Sequence, residues 1–157
     1  MKIRVATTED VPTLARLNGT VQRIHAQAIP KLFRCDAPRA LVEAGFREMV
    51  SDPSAFWLIA EDPEPIGYLY ATFRDREETW FRPAHKICNI SHVSVERGDQ
   101  RCGIGRALIE RLFQEAASRG YDRVELDVWS FNAEAKQAFE RLGFRVFNER
   151  MVYAPEA

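Results

Sequence analysis

One segment of the chain concentrates residues whose types and spacing suit chemistry: Val93-Ser94-Val95, a polar turn from Glu96 to Asp99, then Gln100-Arg101-Cys102-Gly103-Ile104-Gly105-Arg106-Ala107-Leu108. A β-rich run feeds a tight loop and then a helical stripe, with two glycines at the helix start. Gly103 and Gly105 lack Cβ atoms, so the backbone can curl and present consecutive N–H groups, and a helix amino terminus adds roughly half a positive charge. That geometry suits a phosphate. Arg101 and Arg106 flank it with charge enough for a pyrophosphate. A P-loop needs Gly-Lys-Ser/Thr at its end, and a dinucleotide fingerprint needs a third small residue after Gly-x-Gly. Position 106 is Arg and position 108 is Leu, which excludes both. On these residues alone, the alternative is a tight turn that merely starts a helix.

The elements that must position this segment are legible in the pattern. Ile3 and Val5 alternate with Lys2 and Arg4 as in a half-buried strand, and Thr8-Glu9-Asp10 with Pro12 supplies helix-start chemistry. Val11, Leu14, Leu17, Val21 and Ile24 form a helical stripe to about Ala28, ended by Pro30. Asp36-Ala37-Pro38 opens a second helix through Val50. Ala55 to Ala60 and Ile66 to Phe73 read as a hairpin, Arg74 to Lys86 as a mobile polar loop, and Ile87 to Val95 as a long strand. A helix from Ile104 to Ser118, a strand from Arg123 to Trp129, a helix from Asn132 to Leu142 and a final strand or hairpin from Phe144 to Tyr153 complete the chain. The predicted order is β-α-α-β-β-β-α-β-α-β, a mixed α/β (α+β) domain with helices on a central sheet.

With 157 residues the chain is read as one domain, residues 1–157, long enough to bury its own core. Hydrophobic residues at 46% and charged residues at 29% exclude disorder, collagen-like repeats and a secreted disulfide scaffold. Twenty-two Lys and Arg against 23 Asp and Glu leave a formal charge of −1, which argues against nucleic-acid and anionic-membrane partners and requires any anion to be bound locally. Cys35, Cys88 and Cys102 have no CxxC spacing and no histidine placed to complete a zinc site, which predicts reduced thiols and no metal. The amino terminus does not read as a signal peptide, and no apolar run approaches a membrane span, so a cytoplasmic location is expected.

At this point the sequence resembles the GCN5-related N-acetyltransferase (GNAT) superfamily, whose acetyl-CoA loop has the form Gln/Arg-x-x-Gly-x-Gly/Ala. Gln100-Arg101-Cys102-Gly103-Ile104-Gly105 matches it in full. A second family segment, Asn-x-x-Ala-x-x-apolar-aromatic-x-x-x-Gly-Phe, matches Asn132, Ala135, Ala138, Phe139, Gly143 and Phe144. The resemblance implies the acyl-CoA N-acyltransferase fold with a mostly antiparallel central sheet. It implies acetyl-CoA as cosubstrate and a primary amine of a small molecule or protein as acceptor, attacking the thioester directly in a ternary complex.

Carried over by residue, the resemblance puts the pantetheine arm along the backbone of Val93, Ser94 and Val95 and the pyrophosphate on the amides of Arg101, Cys102, Gly103, Ile104, Gly105 and Arg106, with Gln100 opening the loop. Asn132 would face the cofactor. Phe139 stands where many members carry a tyrosine general acid, and is read as a packing surface against the cofactor, since a thiol with pKa near 8.5 leaves without help. Asp127 occupies the strand where some members carry a catalytic carboxylate and is the base candidate; a solvated carboxylate is the alternative. Ser91 and Asn89 occupy the other strand positions from which members present a base or relay water, though neither side chain titrates usefully. His92 has a suitable pKa, yet strand alternation puts it opposite Ser91 and Val93, which favours a structural histidine. His25, Ile29, Pro30, Phe33 and the Arg74–Lys86 loop with Trp80 and Phe81 are expected to shape the acceptor side. A homodimer is expected from exposed strand edges and family habit. A non-catalytic acyl-CoA-binding or sensing module is the other reading, motivated by Phe139.

Overall fold

The computed structural model describes residues 1–153, which fall into two compact units, Met1–Asp127 and Val128 onward. In the first, β1 (Lys2–Val5), β2 (Ala55–Glu61), β3 (Pro65–Arg76), β4 (His85–Val95) and β5 (Val124–Leu126) form one sheet in that spatial order. Strands β1 to β4 pair antiparallel, and β5 joins β4 in parallel. Helices α1 (Val11–Ala28), α2 (Arg39–Ser51) and α3 (Ile104–Ser118) belong to this unit, while α4 (Ala133–Arg141) belongs to the second. This is the mixed α/β architecture expected from the sequence, and α3 keeps its expected bounds.

Alternation along β2 and β3 sorts the core onto two faces. Trp57, Ile59, Tyr68 and Tyr70 pack with Val11, Leu14, Leu17 and Phe46 of α1 and α2 in one buried cluster. Leu58, Leu69, Ala71, Cys88 and Ile90, buried on the other face, meet α3, whose Ile104, Leu108, Ile109, Leu112 and Ala116 are also buried. Burial pushes the Cys88 thiol up to about 12. The entry to α1 is fixed electrostatically: Asp10 accepts from the Thr7 N–H at 2.8 Å and from the Arg4 guanidinium at 2.7 and 2.8 Å.

Three expectations change. Arg74 to Lys86 is not a loop throughout, because Arg74, Asp75 and Arg76 pair with Ile87, Lys86 and His85. Ladder bonds are made by backbone, so polar side chains do not end a strand; Tyr121 donates to Asp75 at 2.7 Å and holds this extension. Strand β5 is only three residues long and stops before Asp127, rather than running to Trp129. Residues 144–153 carry no strand, and Phe147, Met151, Val152 and Tyr153 are exposed. Apolar residues there have no ladder partner among the described residues, and a strand exists only with one. No helix among the described residues is long and apolar enough to cross a membrane.

Candidate functional site

Strand β4 is bulged at its midpoint. Tyr70 is opposite His92 but Ala71 is opposite Ile90, so Ser91 is the extra residue, and every side chain after it changes face relative to strict alternation. The same point is where β5 stops: Ile90 with Leu126 is the last parallel pair, and Ser91 and Asp127 are the next residues on each side. From Ser91 to Val95, β4 keeps β3 on one edge and has no strand on the other among the described residues.

Which backbone groups line that open edge follows from the ladder. The Glu96 N–H donates to Ile66 across β3, and the Ser94 carbonyl also turns toward β3, lying 2.9 Å from where a Cβ on Gly67 would stand. Alternation then directs the N–H and C=O groups of Val93 and Val95 to the open edge. Ser94 faces away in every respect, since its buried hydroxyl donates to the Leu17 carbonyl in α1 at 2.8 Å. Of the three strand residues expected to meet a ligand, two present backbone to the opening and the third anchors the strand.

The glycine-bearing loop lies directly beside this edge. A 3₁₀ turn, Arg97–Asp99, leads to Arg101 at φ 66° and Gly103 at φ 82°, two left-handed residues that curl the chain into α3. Gly103 is the cap residue of α3 and, among the described residues, no side-chain hydrogen bond caps its first turn, which leaves the leading N–H groups for solvent or an anion. Gly105 packs against the open strand, with a Cβ there falling 3.9 Å from Val95 Cγ2 and 4.0 Å from Val93 Cγ1. Gln100 closes the loop by donating to the Val95 carbonyl at 3.2 Å. Cys102, exposed, points its thiol at the Gln100 carbonyl, 3.7 Å away. Arg106 donates through Nε to Glu110 at 2.7 Å in an exposed pair.

The other side of β4 carries His92, read from the sequence as a structural histidine but placed by alternation on the opposite face. His92 is half-buried on the Tyr68 and Tyr70 face, its ring edge-on to both at 6.2 and 5.5 Å. Its Nδ1 lies 3.2 Å from the Tyr68 hydroxyl, which lies 2.9 Å from Oδ1 of Asn18. Burial, and to a lesser extent His25, hold His92 below the usual histidine value. His25 stands 5.0 Å from Phe33, ring to ring. Without the bulge, alternation assigns His92 to the wrong face, and no residue type at position 91 announces a bulge.

The remaining candidates separate. Asp127 is exposed, one residue beyond β5. Ser91, also exposed, accepts from Asn89 Nδ2 at 3.3 Å. Trp80 and Phe81 are exposed at the tip between β3 and β4, their rings tilted against each other with centroids 4.8 Å apart. Tyr68 is fully buried and held far above the ordinary phenol range by that burial, and Tyr121 is raised by its bond to Asp75, so neither is a ready proton donor. In the second unit, Asn132 caps α4 by accepting from the Ala135 N–H at 3.2 Å, and Phe139 meets Phe144 edge-on at 5.9 Å.

An open strand edge beside an uncapped, glycine-bearing helix start defines a recognisable class. The chain belongs to the acetyltransferase (GNAT) family, whose model matches residues 23–144. It is 37% identical over 94 residues to the mycothiol acetyltransferase of Beutenbergia cavernae, covering 59% of this chain and 29% of that protein. It is 39% identical over 66 residues to the ribosomal protein bS18-alanine N-acetyltransferase of Escherichia coli, covering 42% of this chain and 45% of that protein. The chain thus spans less than half the length of these curated relatives. Among solved structures, a tetramutant of the BH1408 protein of Bacillus halodurans superposes with a TM-score of 0.91 at 26% identity, covering 98% of this chain and 99% of that one. A ribosomal-protein-alanine N-acetyltransferase from Brucella melitensis shares the fold with a TM-score of 0.74 at 18% identity, covering 98% of this chain and 99% of that one.

Proposed function

We propose that the chain is an N-acetyltransferase that moves an acetyl group from acetyl-CoA to a primary amine of a small molecule or protein. The observation that carries the reading is the contact of Gly105 with Val93 and Val95, which sets the phosphate-type loop against the stretch of β4 edge that β5 leaves open. The residues present fit the cosubstrate: Val93 and Val95 offer backbone partners for its amide arm, and the uncapped first turn of α3 with Arg101 and Arg106 offers donors and charge for its phosphates. Gln100, Cys102, Gly103 and Ile104 shape that loop, and Ser94 fixes the strand from behind. Asn132 and Phe139 are assigned to the cofactor on the second motif alone.

Acetyl-CoA supplies an activated acyl carbon, and the chain's task is to hold an unprotonated amine in line with it. Asp127 and Ser91 stand where β4 and β5 part, so an incoming ammonium meets a carboxylate and a hydroxyl there. An N–H of the open β4 edge is the donor available to the oxyanion. The relatives' names span both acceptor classes, one naming the small molecule mycothiol and the other an alanine of ribosomal protein bS18. A cytoplasmic homodimer fits the reading, with the outer edge of β1 unpaired among the described residues.

The test is calorimetric titration with acetyl-CoA, followed by release of free coenzyme A across a panel of small amines and amino-terminal peptides. Saturable binding with turnover on some amines is expected. Binding with no turnover on any amine supports the acyl-CoA-sensing alternative, and absence of binding overturns both.

A further inference from the structure

We propose that His92 is the general base of this site, its Nε2 taking the first proton from the acceptor ammonium. The proposal rests on the acetyltransferase reading above and adds the identity of the proton acceptor. Its foundation is the chain of contacts from Asn18 through Tyr68 to His92.

Tyr68 is fully buried and has one hydroxyl proton. Oδ1 of Asn18, 2.9 Å away, can only accept, so that proton points to Asn18. The Tyr68 oxygen is then an acceptor toward His92, and Nδ1 at 3.2 Å must be the protonated ring nitrogen. The neutral ring has one N–H, so Nε2 carries the lone pair. An Asn18 to Tyr68 to His92 relay thus fixes the tautomer in the way a carboxylate or carbonyl does for other catalytic imidazoles. Trp57 Nε1 is the one buried side-chain nitrogen or oxygen without a partner among the described residues. Nε2 of His92, which has no partner there either, is therefore open to solvent.

Its place on the strand suits the role. His92 lies between the bulge residue Ser91 and Val93, at the start of the open edge, with Tyr70 fixing the ring from the side. The titratable groups that face it among the described residues are His25 from α1 and Tyr68 and Tyr70 from β3. Burial and the His25 charge both oppose protonation of the ring, which leaves it neutral and receptive at pH 7.

The step balances. R–NH3+ gives one proton to Nε2, leaving R–NH2 and an imidazolium. The amine lone pair forms the C–N bond at the thioester carbon, the carbonyl electrons moving to oxygen. Collapse breaks the C–S bond, the sulfur leaves with its electron pair, and the second amine proton passes to the thiolate. His92 then loses its proton to solvent.

The experiment compares wild type with His92→Gln, Tyr68→Phe and Asp127→Asn. If His92 is the base, His92→Gln lowers kcat by ~100-fold or more, keeps acetyl-CoA affinity and abolishes the acid limb of the kcat/KM profile. Tyr68→Phe, which removes the acceptor for Nδ1–H, gives a smaller loss and moves that limb. Retained acetyl-CoA binding by His92→Gln certifies its fold, and nitrogen-15 NMR of the wild-type imidazole, independent of activity, is expected to show Nε2 unprotonated. Wild type that neither binds acetyl-CoA nor turns over overturns the functional reading itself. Wild type that turns over while His92→Gln keeps its rate and acid limb overturns the base assignment, as does a proton found on Nε2 of the neutral ring. A loss confined to Asp127→Asn also overturns it, in favour of that carboxylate.

Discussion

Gly105, in the first turn of α3, packs against Val95 at the end of β4, so closely that a methyl group there would lie 3.9 Å from Val95 Cγ2. That is ordinary van der Waals distance. Gly105→Ala is therefore expected to keep the fold and to raise the melting temperature slightly, since alanine is favoured over glycine within a helix by about 1 kcal/mol. Gly105→Phe would fill the space between loop and strand and weaken acetyl-CoA binding by at least ~10-fold, a loss of about 1.4 kcal/mol. Thermal melts and calorimetry on the pair check this. Equal affinities in both variants would contradict the placement of the cofactor against Val93 and Val95.

Arg101 and Gly103 are both left-handed, and they predict opposite costs. For a residue with a Cβ this conformation costs about 1–2 kcal/mol. Nothing lies within 4 Å of a Cβ on Gly103, so Gly103→Ala should destabilise by backbone strain alone, about 1 kcal/mol. Arg101→Gly relieves strain but removes a charge, so acetyl-CoA affinity should fall and its salt dependence flatten. Arg106→Glu turns an exposed helical ion pair into a repulsion worth a few tenths of a kcal/mol, so its larger effect is expected on binding. Melting curves and titrations at two salt concentrations separate strain from charge.

What could be read in advance divides along physical lines. The loop from Gln100 to Arg106 was legible because glycine and arginine at fixed spacing are local requirements of an anion-binding helix start. The α3 stripe was legible because burial at every third or fourth position repeats through Ile104, Leu108, Ile109, Leu112 and Ala116. The bulge at Ser91 was not legible, since it exists only as a mismatch between β4 and β3, and it moves His92 to the face of Tyr68. The bond from the Ser94 hydroxyl to the Leu17 carbonyl, seventy-seven residues away in sequence, is a contact no local pattern encodes. Apolar residues from Phe144 onward suggested a strand, but apolarity alone supplies no ladder partner.

Gly67 holds β4 in place from the edge opposite the open one. A Cβ at this position would lie 2.9 Å from the Ser94 carbonyl, closer than real contacts allow, and the obstacle is backbone that cannot rotate away. Gly67→Ala must push β3 from β4 at the height of Ser94 and Val95. We expect it to lower stability by about 1–3 kcal/mol and to weaken acetyl-CoA binding as well, although Gly67 lies on β3 rather than on the open edge. Urea midpoints and titration measure the two effects. Full stability in Gly67→Ala would mean that the approach of β3 and β4 is looser than described.

Stability should fall with acid in two separate windows, and the sign follows from which state binds protons more readily. Burial holds both His25 and His92 below the usual value of 6.5, so the unfolded chain takes up protons on them first. Their contribution is complete above pH 6.5 and is lost as the pH falls through that value to their folded values. Asp10 is lowered chiefly by its hydrogen bonds from Arg4, so its contribution is present above the usual 3.8 and is lost only as the pH falls through its still lower folded value. Urea midpoints between pH 8 and pH 3 should therefore show a first decline that His25→Gln and His92→Gln each flatten, and a second that Asp10→Asn removes in part. The first window also links stability to turnover, because the proton that loosens the fold at His92 is the one that would disable it as a base. A variant that keeps the acid limb of kcat/KM while losing the first decline in stability would separate the two and assign the limb to another group.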